Sequence, residues 1–268
     1  IVANGLQVAL AMRATAEDRY LHVAPMFHAA DLLGTAFTLV GGSHAYLSPF
    51  TGDGILRALQ DTRATVCMMA PTMIVMTLEQ PDISHYDLSR FRLLFYGSAP
   101  MDAVWVRRAM ERFPGAGLQA SYGLTETSPI LTTLDPEDHV AALESGNVEM
   151  LRAVGRAVPG VDLTIRDDDG RELPIGAAGE VVVRGPNVVR GYYNRPDETA
   201  AAFRDGWLHT GDIGRLDENG ILFLVDRKKD MVITGGENVY TTEVEAALYQ
   251  HPDVAEAAVI GVPDDKYG

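Results

Sequence analysis

Residues 93–127, LLFYGSAPMDAVWVRRAMERFPGAGLQASYGLTET, contain the pattern that sets the fold class. Two short apolar runs, at 93–96 and 118–122, have the length and composition of buried strands. Between them, apolar residues recur at positions i, i+4 and i+7 over 106–113, which predicts an amphipathic helix. Strand, helix and strand in succession indicate a mostly parallel sheet covered by helices. Ligands of such sheets bind at the loops that leave the carboxyl ends of the strands.

The pattern changes three times along the chain. Residues 1–150 alternate apolar runs with helical periodicity, which predicts part of a large α/β domain. Residues 151–226 carry short β candidates separated by Asp-Gly and Asn-Gly turns, which predicts a small antiparallel or barrel-like β subdomain. The charged segment 227–230 is predicted to be a hinge. Residues 231–268 are predicted to start a small α+β carboxyl-terminal domain that includes an apolar strand near 254–262.

Composition excludes some classes of function. The formal net charge of -15 argues against a general nucleic-acid binder, because such proteins need a basic surface to displace counterions. The single cysteine, Cys67, cannot form an internal disulfide, which fits a reducing compartment. No apolar run is long enough to span a bilayer, and the first residues do not resemble a signal peptide. We therefore expect a cytoplasmic protein without a transmembrane segment; peripheral membrane contact stays open, and the oligomeric state is not predicted.

The segment YGLTET at 122–127 places a glycine, a hydroxyl and a carboxylate directly after a predicted strand. Thr125 and Glu126 can serve a phosphate oxygen and a hard cation together, because Mg²⁺ prefers oxygen ligands. A turn with a helix-capping threonine explains the same residues on local physics alone.

The segment GWLHTGD at 206–212 places Asp212 behind a glycine, where a carboxylate can accept hydrogen bonds from both hydroxyls of a ribose. Arg227 offers a planar donor fork for phosphate or ribose oxygens. An Asx-type turn and a solvated linker charge are the plain alternatives for these two residues. Lys228 and Lys229 are interpreted as solvated linker charges, unless the linker moves.

Seven motifs, taken in order, resemble the adenylate-forming superfamily of acyl-CoA synthetases, luciferases and peptide-synthetase adenylation domains. The matching segments are PMFH at 25–28, GSAP at 97–100, YGLTE at 122–126, GYYN at 191–194, TGD at 210–212, DRKKD at 226–230 and GGENVY at 235–240. The resemblance covers essentially the whole chain, and the last motif is most similar to the acyl-CoA synthetase branch.

The resemblance implies a two-step reaction. ATP, with Mg²⁺, activates a small-molecule carboxylic acid to acyl-AMP, and the acyl group then passes to the thiol of coenzyme A. It implies that Thr125 contacts the ATP phosphates and that Glu126 binds Mg²⁺. Tyr122 is expected against the adenine, and Asp212 with Arg227 at the ribose.

The resemblance also implies a gate, a hinge and two binding walls. His28, with Phe27, is expected at the gate between the acyl site and the thiol tunnel, and Lys229 matches the hinge residue. The residues expected to line the nucleotide and coenzyme A sites are Gly97, Ser98, Ala99, Pro100, Gly123, Gly235 and Gly236.

The family's phosphate loop and its adenylating lysine are not found in the chain, and Lys266 stands before the position of that lysine. We therefore expect a piece of a longer enzyme that alone binds ATP weakly and forms no acyl-adenylate.

The class of substrate acid is inferred from the residues that match the family's acyl pocket. These residues are apolar or small: Ala29, Ala30, Phe37, Val66, Met68, Met69 and Ser128. They suit a fatty or aryl monocarboxylate, although ordinary sheet core explains them equally well.

Two other functions remain open. The first is an amino-acid adenylation domain. Such domains usually have a proline at the position of Leu124, and they carry an amine-binding aspartate in the first motif. Asp31 is the one residue of this chain that keeps this alternative open. The other is a non-catalytic nucleotide-binding module.

Overall fold

The computed structural model describes residues 1–99, 101–234, 237–248, 251, 253–254 and 257–263. The chain divides into two compact units. We call Ile1–Asp162 with Gly185–Gly191 the sheet unit, and Leu163–Arg184 with Tyr192–Gly268 the β unit. The expected α/β class, with a mostly parallel sheet, helices and a separate β-rich part, is confirmed. The domain boundaries drawn from the sequence stay predictions.

The sheet unit is built on seven strands in the order β2-β1-β3-β4-β5-β6-β7. The first five of these are parallel, whereas β6 and β7 join antiparallel. The strands are β1 Arg19–His22, β2 Ser43–Tyr46, β3 Val66–Met69, β4 Leu93–Tyr96, β5 Gly117–Gly123, β6 Ile130–Leu134 and β7 Arg156–Ala157. Every residue of β3, β4 and β6 is buried, as expected for central strands covered on both faces.

Among the described residues, six α-helices accompany this sheet: α1 Val2–Ala11, α2 Gly34–Val40, α3 Gly52–Thr62, α4 Pro71–Leu78, α5 Ala103–Arg112 and α6 Pro136–Ser145. Helix α5 begins where the Asp102 side chain accepts the Val104 N–H, and it buries Val106 completely. Phe113, just after its end, is also buried, so the helical repeat in the sequence marks the core-facing side. Short 3₁₀ helices lie at Ala29–Leu33, Ile83–His85, Thr125–Thr127 and Met150–Arg152.

A buried carboxylate ties the amino ends of three strands together. Asp18, one residue before β1, accepts hydrogen bonds from Arg92 Nε at 2.7 Å and Arg92 Nη2 at 2.7 Å. It also accepts from Thr65 Oγ1 at 2.7 Å and from the Thr15 N–H at 2.9 Å. Burial alone would raise the pKa of Asp18, but these hydrogen bonds and the Arg92 charge outweigh it and lower the pKa to about 2.

The β unit contains an antiparallel sheet of β8 Asp162–Arg166, β9 Gly179–Arg184, β10 Phe203–Arg204, β11 Trp207–Leu216 and β12 Leu222–Arg227. The order is β10-β11-β9-β8, and β12 pairs with residues 212–216 of β11. Helix α7, Pro196–Ala202, precedes β10. The Trp207 ring carries two guanidinium groups, with Arg166 at 4.6 Å and Arg184 at 4.5 Å from its centre.

The last part of the β unit forms the hairpin β13 Val232–Thr234 with β14 Glu237–Val239, followed by α8 Thr241–Leu248. The expected strand near 254–262 is wrong for the described residues 257–263, which pair with no other strand among those described. Apolar composition alone does not make a strand, because its backbone groups need a neighbouring ladder. Among the described helices, none combines the length and apolar character needed to cross a membrane.

Candidate functional site

The carboxyl ends of β4 and β5 approach each other closely at Gly97. A Cβ atom at this position would lie 2.6 Å from Ser121 Oγ and 2.7 Å from the Ser121 carbonyl oxygen. Only glycine leaves room there, so the loop after β4 can lie directly against β5. The next residue, Ser98, has a positive φ of 71° and is exposed, as is Ala99. Pro100 lies outside the described residues.

The turn after β5 is held by Thr127 and Asn187. The Leu124 N–H donates to Thr127 Oγ1 at 3.0 Å, and the Thr127 hydroxyl donates to the Pro129 carbonyl at 2.7 Å. The buried Asn187 side chain donates to the Thr127 carbonyl at 2.8 Å. The capping threonine of the YGLTET segment is therefore Thr127, whereas the side chain of Thr125 is exposed.

Close contact with the neighbouring backbone explains why residue 123 is a glycine. A Cβ atom here would lie 1.8 Å from the Pro129 carbonyl oxygen, so the neighbouring backbone itself excludes every other residue. Next to it, Tyr122 is buried, and Glu126 in the turn is half-buried. The structure thus brings Gly97, Tyr122 and the Thr125–Glu126 pair to one edge of the sheet.

A neutral histidine supports this edge from inside the core. The Tyr96 hydroxyl lies 2.8 Å from His139 Nε2, and His139 Nδ1 lies 2.9 Å from the Asp135 carbonyl oxygen. A carbonyl can only accept, so Nδ1 carries the proton and Nε2 accepts from the tyrosine. Burial lowers the pKa of His139 and raises the pKa of Tyr96, which keeps both groups uncharged.

In the β unit, Asp212 and Arg227 are opposite each other. They are register partners of β11 and β12, with Arg227 Nε 3.7 Å from Asp212 Oδ1. Asp212 is largely covered, whereas the Arg227 side chain is 65% exposed. Between His209 and Ile213 the pairing of β11 with β9 shifts register, so the segment that carries Asp212 leaves the ladder with β9 while Asp212 stays paired with β12. The two residues that the sequence paired are therefore adjacent.

The interpretation of Lys228 as a solvated charge, drawn from the sequence, is wrong. Its ammonium lies 2.7 Å from Asp168 Oδ1 and 3.2 Å from Oε2 of the buried Glu180. Glu180 also contacts His209 Nδ1 at 3.1 Å and the Gly211 N–H at 3.3 Å. Burial would raise the pKa of Glu180, but the hydrogen bonds from His209 and Lys228 outweigh it and lower the pKa. Lys229, the expected hinge residue, is exposed.

The PMFH segment lies on an exposed loop after β1. The Phe27 side chain is 94% exposed, and His28 is exposed as well. At the base of this loop, His22 Nδ1 lies 2.7 Å from Asp31 Oδ1, and His22 Nε2 lies 2.8 Å from His44 Nδ1. No sequence signal pointed to this cluster, because its members come from separate segments with no shared motif.

Five of the residues considered for an acyl pocket are buried, and Ala29 is half-buried. Phe37, Val66 and Met69 are completely buried, and the Phe37 ring stacks on Tyr20 at 5.0 Å. No group of three or more His, Cys, Asp or Glu side chains with a metal-site arrangement occurs among the described residues. Gly235 and Gly236, expected at the thiol tunnel, lie outside the described residues.

Ligand binding at the carboxyl edge of a largely parallel sheet is typical of nucleotide-binding α/β enzymes. The chain belongs to the AMP-binding enzyme family, whose sequence profile matches residues 1–193. The profile of the AMP-binding enzyme C-terminal domain matches residues 243–268. The resemblance seen in the motifs is therefore confirmed.

Three known proteins show the similarity. The chain is 36% identical to a medium/long-chain-fatty-acid–CoA ligase of Mycobacterium tuberculosis, over 94% of the chain and 43% of the ligase. It is 38% identical to a feruloyl-CoA synthase of Amycolatopsis, over 99% of the chain and 52% of that protein. The solved amide bond synthetase of Marinactinospora thermotolerans superposes with a TM-score of 0.89 at 38% identity, covering 98% of the chain and 52% of the synthetase. The chain thus spans about half the length of the relatives it matches.

Proposed function

We propose that the chain is part of an AMP-forming acid–thiol ligase, which activates a carboxylic acid with ATP and transfers the acyl group to coenzyme A. The observation that carries this proposal is the turn after β5. Its hydrogen-bonding side chains come from Thr127 and Asn187, and it presents the exposed Thr125 and the half-buried Glu126 at the ligand-binding edge of the sheet.

In this proposal Thr125 donates to the ATP phosphates and Glu126 binds Mg²⁺. The fit is reasonable, because Glu126 is a partly accessible carboxylate and Mg²⁺ usually takes one or two protein carboxylates along with phosphate oxygens and waters. When bound, Mg²⁺ supplies charge neutralisation on the phosphates. Tyr122 forms one wall of the adenine site; the residues proposed for its other wall and the acyl channel are Gly97, Ser98, Ala99 and Pro100, with Gly123 in the turn.

Asp212 and Arg227 are the proposed ribose ligands. Their adjacency supports the role, because a largely covered carboxylate beside an exposed guanidinium offers an acceptor and a donor together. The proposed thiol-transfer residues are His28 at the gate, Gly235 and Gly236 at the tunnel, and Lys229 at the hinge.

The chemistry asked of these residues is positioning and charge neutralisation. The acid must lie against the α-phosphate of ATP while negative charge develops on the departing pyrophosphate, and fixed donors such as Thr125 stabilise that charge. Removing one such donor typically costs about 3 kcal/mol of the activation barrier. Because the phosphate loop and the adenylating lysine are not within the chain, we propose that the chain alone forms no acyl-adenylate.

The proposed acid is a fatty or aryl monocarboxylate. Relatives named for fatty acids and for feruloyl-CoA support both classes. The amino-acid alternative loses its one supporting residue, because the Asp31 carboxylate is buried against His22 instead of being available to an ammonium group.

The test uses the complete gene product with ATP, coenzyme A and either dodecanoate or ferulate, and it measures pyrophosphate release. We expect Glu126→Gln to lower release by about two orders of magnitude. The control, Glu144→Gln on the exposed face of α6, should leave it unchanged. Equal rates in the two variants would refute the role of Glu126, and no release with either acid in the wild type would refute the proposed substrate class.

A second candidate is amide formation from the same acyl-adenylate, favoured by the similarity to the amide bond synthetase. The two functions differ only in the acceptor. Supplying coenzyme A and a simple alkylamine in competition, and separating thioester from amide by mass spectrometry, distinguishes them.

A further inference from the structure

Four side chains form a continuous hydrogen-bonded chain beside β1, which we call the histidine chain: Asp31, His22, His44 and Thr38. Asp31 Oδ1 lies 2.7 Å from His22 Nδ1, and His22 Nε2 lies 2.8 Å from His44 Nδ1. His44 Nε2 then lies 3.0 Å from Thr38 Oγ1. The Asp31 and His22 side chains are only 7% and 8% exposed, so one end of the chain is in the core and the Thr38 end is at the surface.

The histidine chain keeps all its bonds in two protonation states. With a neutral His22, protons run one way, from Thr38 through His44 Nδ1 to His22 Nε2, and His22 Nδ1 donates to Asp31. With an imidazolium at His22, both its nitrogens donate, and His44 donates to Thr38 instead. The two states differ by one proton. In the second state that proton makes His22 a cation, whose charge offsets the charge of the buried carboxylate. Burial, followed by the neighbouring His22, lowers the pKa of His44.

The other titratable groups around His22 are two tyrosines and a cysteine. Tyr20 meets its ring edge-on at 4.7 Å, and Tyr46 stacks on it at 4.5 Å. Cys67 of the neighbouring β3, the register partner of Leu21, is buried. Burial raises the pKa of Tyr20 and of Cys67, so both remain neutral.

The bond between His22 and Asp31 closes the loop that carries Phe27 and His28. His22 is the last residue of β1, and Asp31 belongs to the 3₁₀ helix after the loop. Inside the loop, the His28 N–H donates to the Pro25 carbonyl at 2.8 Å, and the Asp31 N–H donates to the His28 carbonyl at 3.0 Å. The side-chain bond between His22 and Asp31 adds a direct link between the two ends of the loop.

Close packing fixes His22 itself. A Cβ atom at Gly34, the first residue of α2, would lie 2.6 Å from His22 Cε1, so the imidazole fills the space that this glycine leaves. The Leu47 N–H donates to the His22 carbonyl at 2.9 Å, which anchors the end of β1 to the segment after β2. A rigid His22 can hold Asp31, whereas a mobile one could not.

We propose that Asp31, His22 and His44 are positioning residues that hold the Phe27–His28 loop at the carboxyl edge of the sheet, so that it serves the thiol-transfer step and not adenylation. The placement of this step rests on the proposed function. The holding of the loop does not, because it follows from the contacts alone.

Amide hydrogen exchange on the complete gene product tests the holding of the loop. We expect Asp31→Asn to speed exchange over residues 23–31 by about tenfold, while an exposed control, His85→Asn, leaves it unchanged. If Asp31→Asn does not fold, His44→Asn removes the half-buried link, and a smaller acceleration over the same residues is expected, because the bond between His22 and Asp31 stays. Exchange equal to that of the wild type in a folded variant would overturn the proposal.

A pH series supplies a readout that a merely structural contact would not move. Because the histidine chain takes up one proton, loop protection in the wild type should change with a one-proton dependence between about pH 5 and 8. The dependence should be absent in His22→Asn, which removes the imidazole between Asp31 and His44. A wild-type protection that is flat across this range contradicts proton sharing.

The reaction step is tested with dodecanoate by measuring both half-reactions. We expect Asp31→Asn to lower coenzyme A thioester formation by about tenfold and to leave ATP–pyrophosphate exchange within about twofold. An equal loss in both half-reactions overturns the assignment to thiol transfer. If the wild type makes no thioester with dodecanoate or ferulate, the proposed function fails, and the exchange experiment alone decides whether these residues hold the loop.

Discussion

Replacing Asp18 by asparagine removes the negative charge that holds the amino ends of β1, β3 and β4 together. The asparagine keeps the shape of the side chain but leaves the guanidinium of Arg92 without a counter-charge. Arg92 is 36% exposed, so water can compensate it in part, whereas the Asp18 side chain is 4% exposed. We expect the sheet unit to lose stability, and Asp18→Asn to unfold at a lower temperature than the wild type.

The size of the loss follows from the pKa. Asp18 titrates at about 2 in the folded chain instead of the usual 3.8, and this difference corresponds to about 2 kcal/mol of stability at neutral pH. A fully buried ion pair that loses one partner costs about 3–5 kcal/mol, and the exposure of Arg92 brings the value below that range. For a chain of this length, about 2 kcal/mol lowers Tm by roughly 4–8 °C.

Tryptophan fluorescence can follow the sheet unit separately. Trp105 lies in α5 of the sheet unit and Trp207 in the β unit, and they are the only two tryptophans. In a Trp207→Phe background, thermal unfolding monitored by Trp105 therefore reports on the unit that contains Asp18. The matched control is Glu137→Gln, which breaks an exposed pair with Arg13 in the same unit and should cost at most about 0.5 kcal/mol.

The pH dependence gives the prediction its sign. The folded pKa is depressed, so the contribution of Asp18 is complete above about pH 5 and disappears as the pH falls through about 2. Wild type and Asp18→Asn should therefore converge in Tm near pH 2. Equal stability of Asp18→Asn and the control at pH 7, or a difference that persists undiminished at low pH, would refute the reasoning.

Three further predictions concern the two units. Thr127→Val should destabilise the sheet unit by about 1–3 kcal/mol in urea unfolding, because it removes the hydroxyl that holds the turn. Thr125→Val should change the stability by less than about 0.5 kcal/mol, and equal losses in the two variants would contradict the assignment of the turn to Thr127. Tyr96→Phe should lower the free energy of unfolding by about 1–3 kcal/mol, because it leaves a ring nitrogen of His139 without its hydrogen bond. Since the pKa of His139 is lowered in the folded chain, the stability of the wild type should fall as the pH decreases from about 7 toward that pKa. Glu180→Gln should lower the unfolding temperature monitored by Trp207, since it leaves a histidine and a lysine without their shared carboxylate; an unchanged transition would show that water replaces it.

The sheet framework could be predicted because its signals are local. The apolar runs at 93–96 and 118–122 appear as Leu93–Tyr96 and Gly117–Gly123, and the helical repeat between them forms α5. Strand length and helical periodicity each need only neighbouring residues. Asp212 and Arg227, which the family resemblance assigns to the ribose, are neighbours on paired strands, and their role stays a prediction.

What the sequence did not reveal depends on contacts between distant segments. The bond between His22 and His44 joins two strands that are neighbours only in the folded sheet. Lys228 looked solvated because its partner Glu180 lies 48 residues earlier and is buried. The expected strand near 254–262 failed for a related reason, since apolar composition says nothing about whether a ladder partner is present.

The turn after β5 separates scaffolding from exposed chemistry. Thr127 and Asn187 provide the buried hydrogen bonds, while Thr125 projects from the surface of the same short helix. A substitution at Thr125 can thus be made without disturbing the core. Protein engineers could randomise this position in a folded background and read changes in activity directly, without first correcting each variant for lost stability.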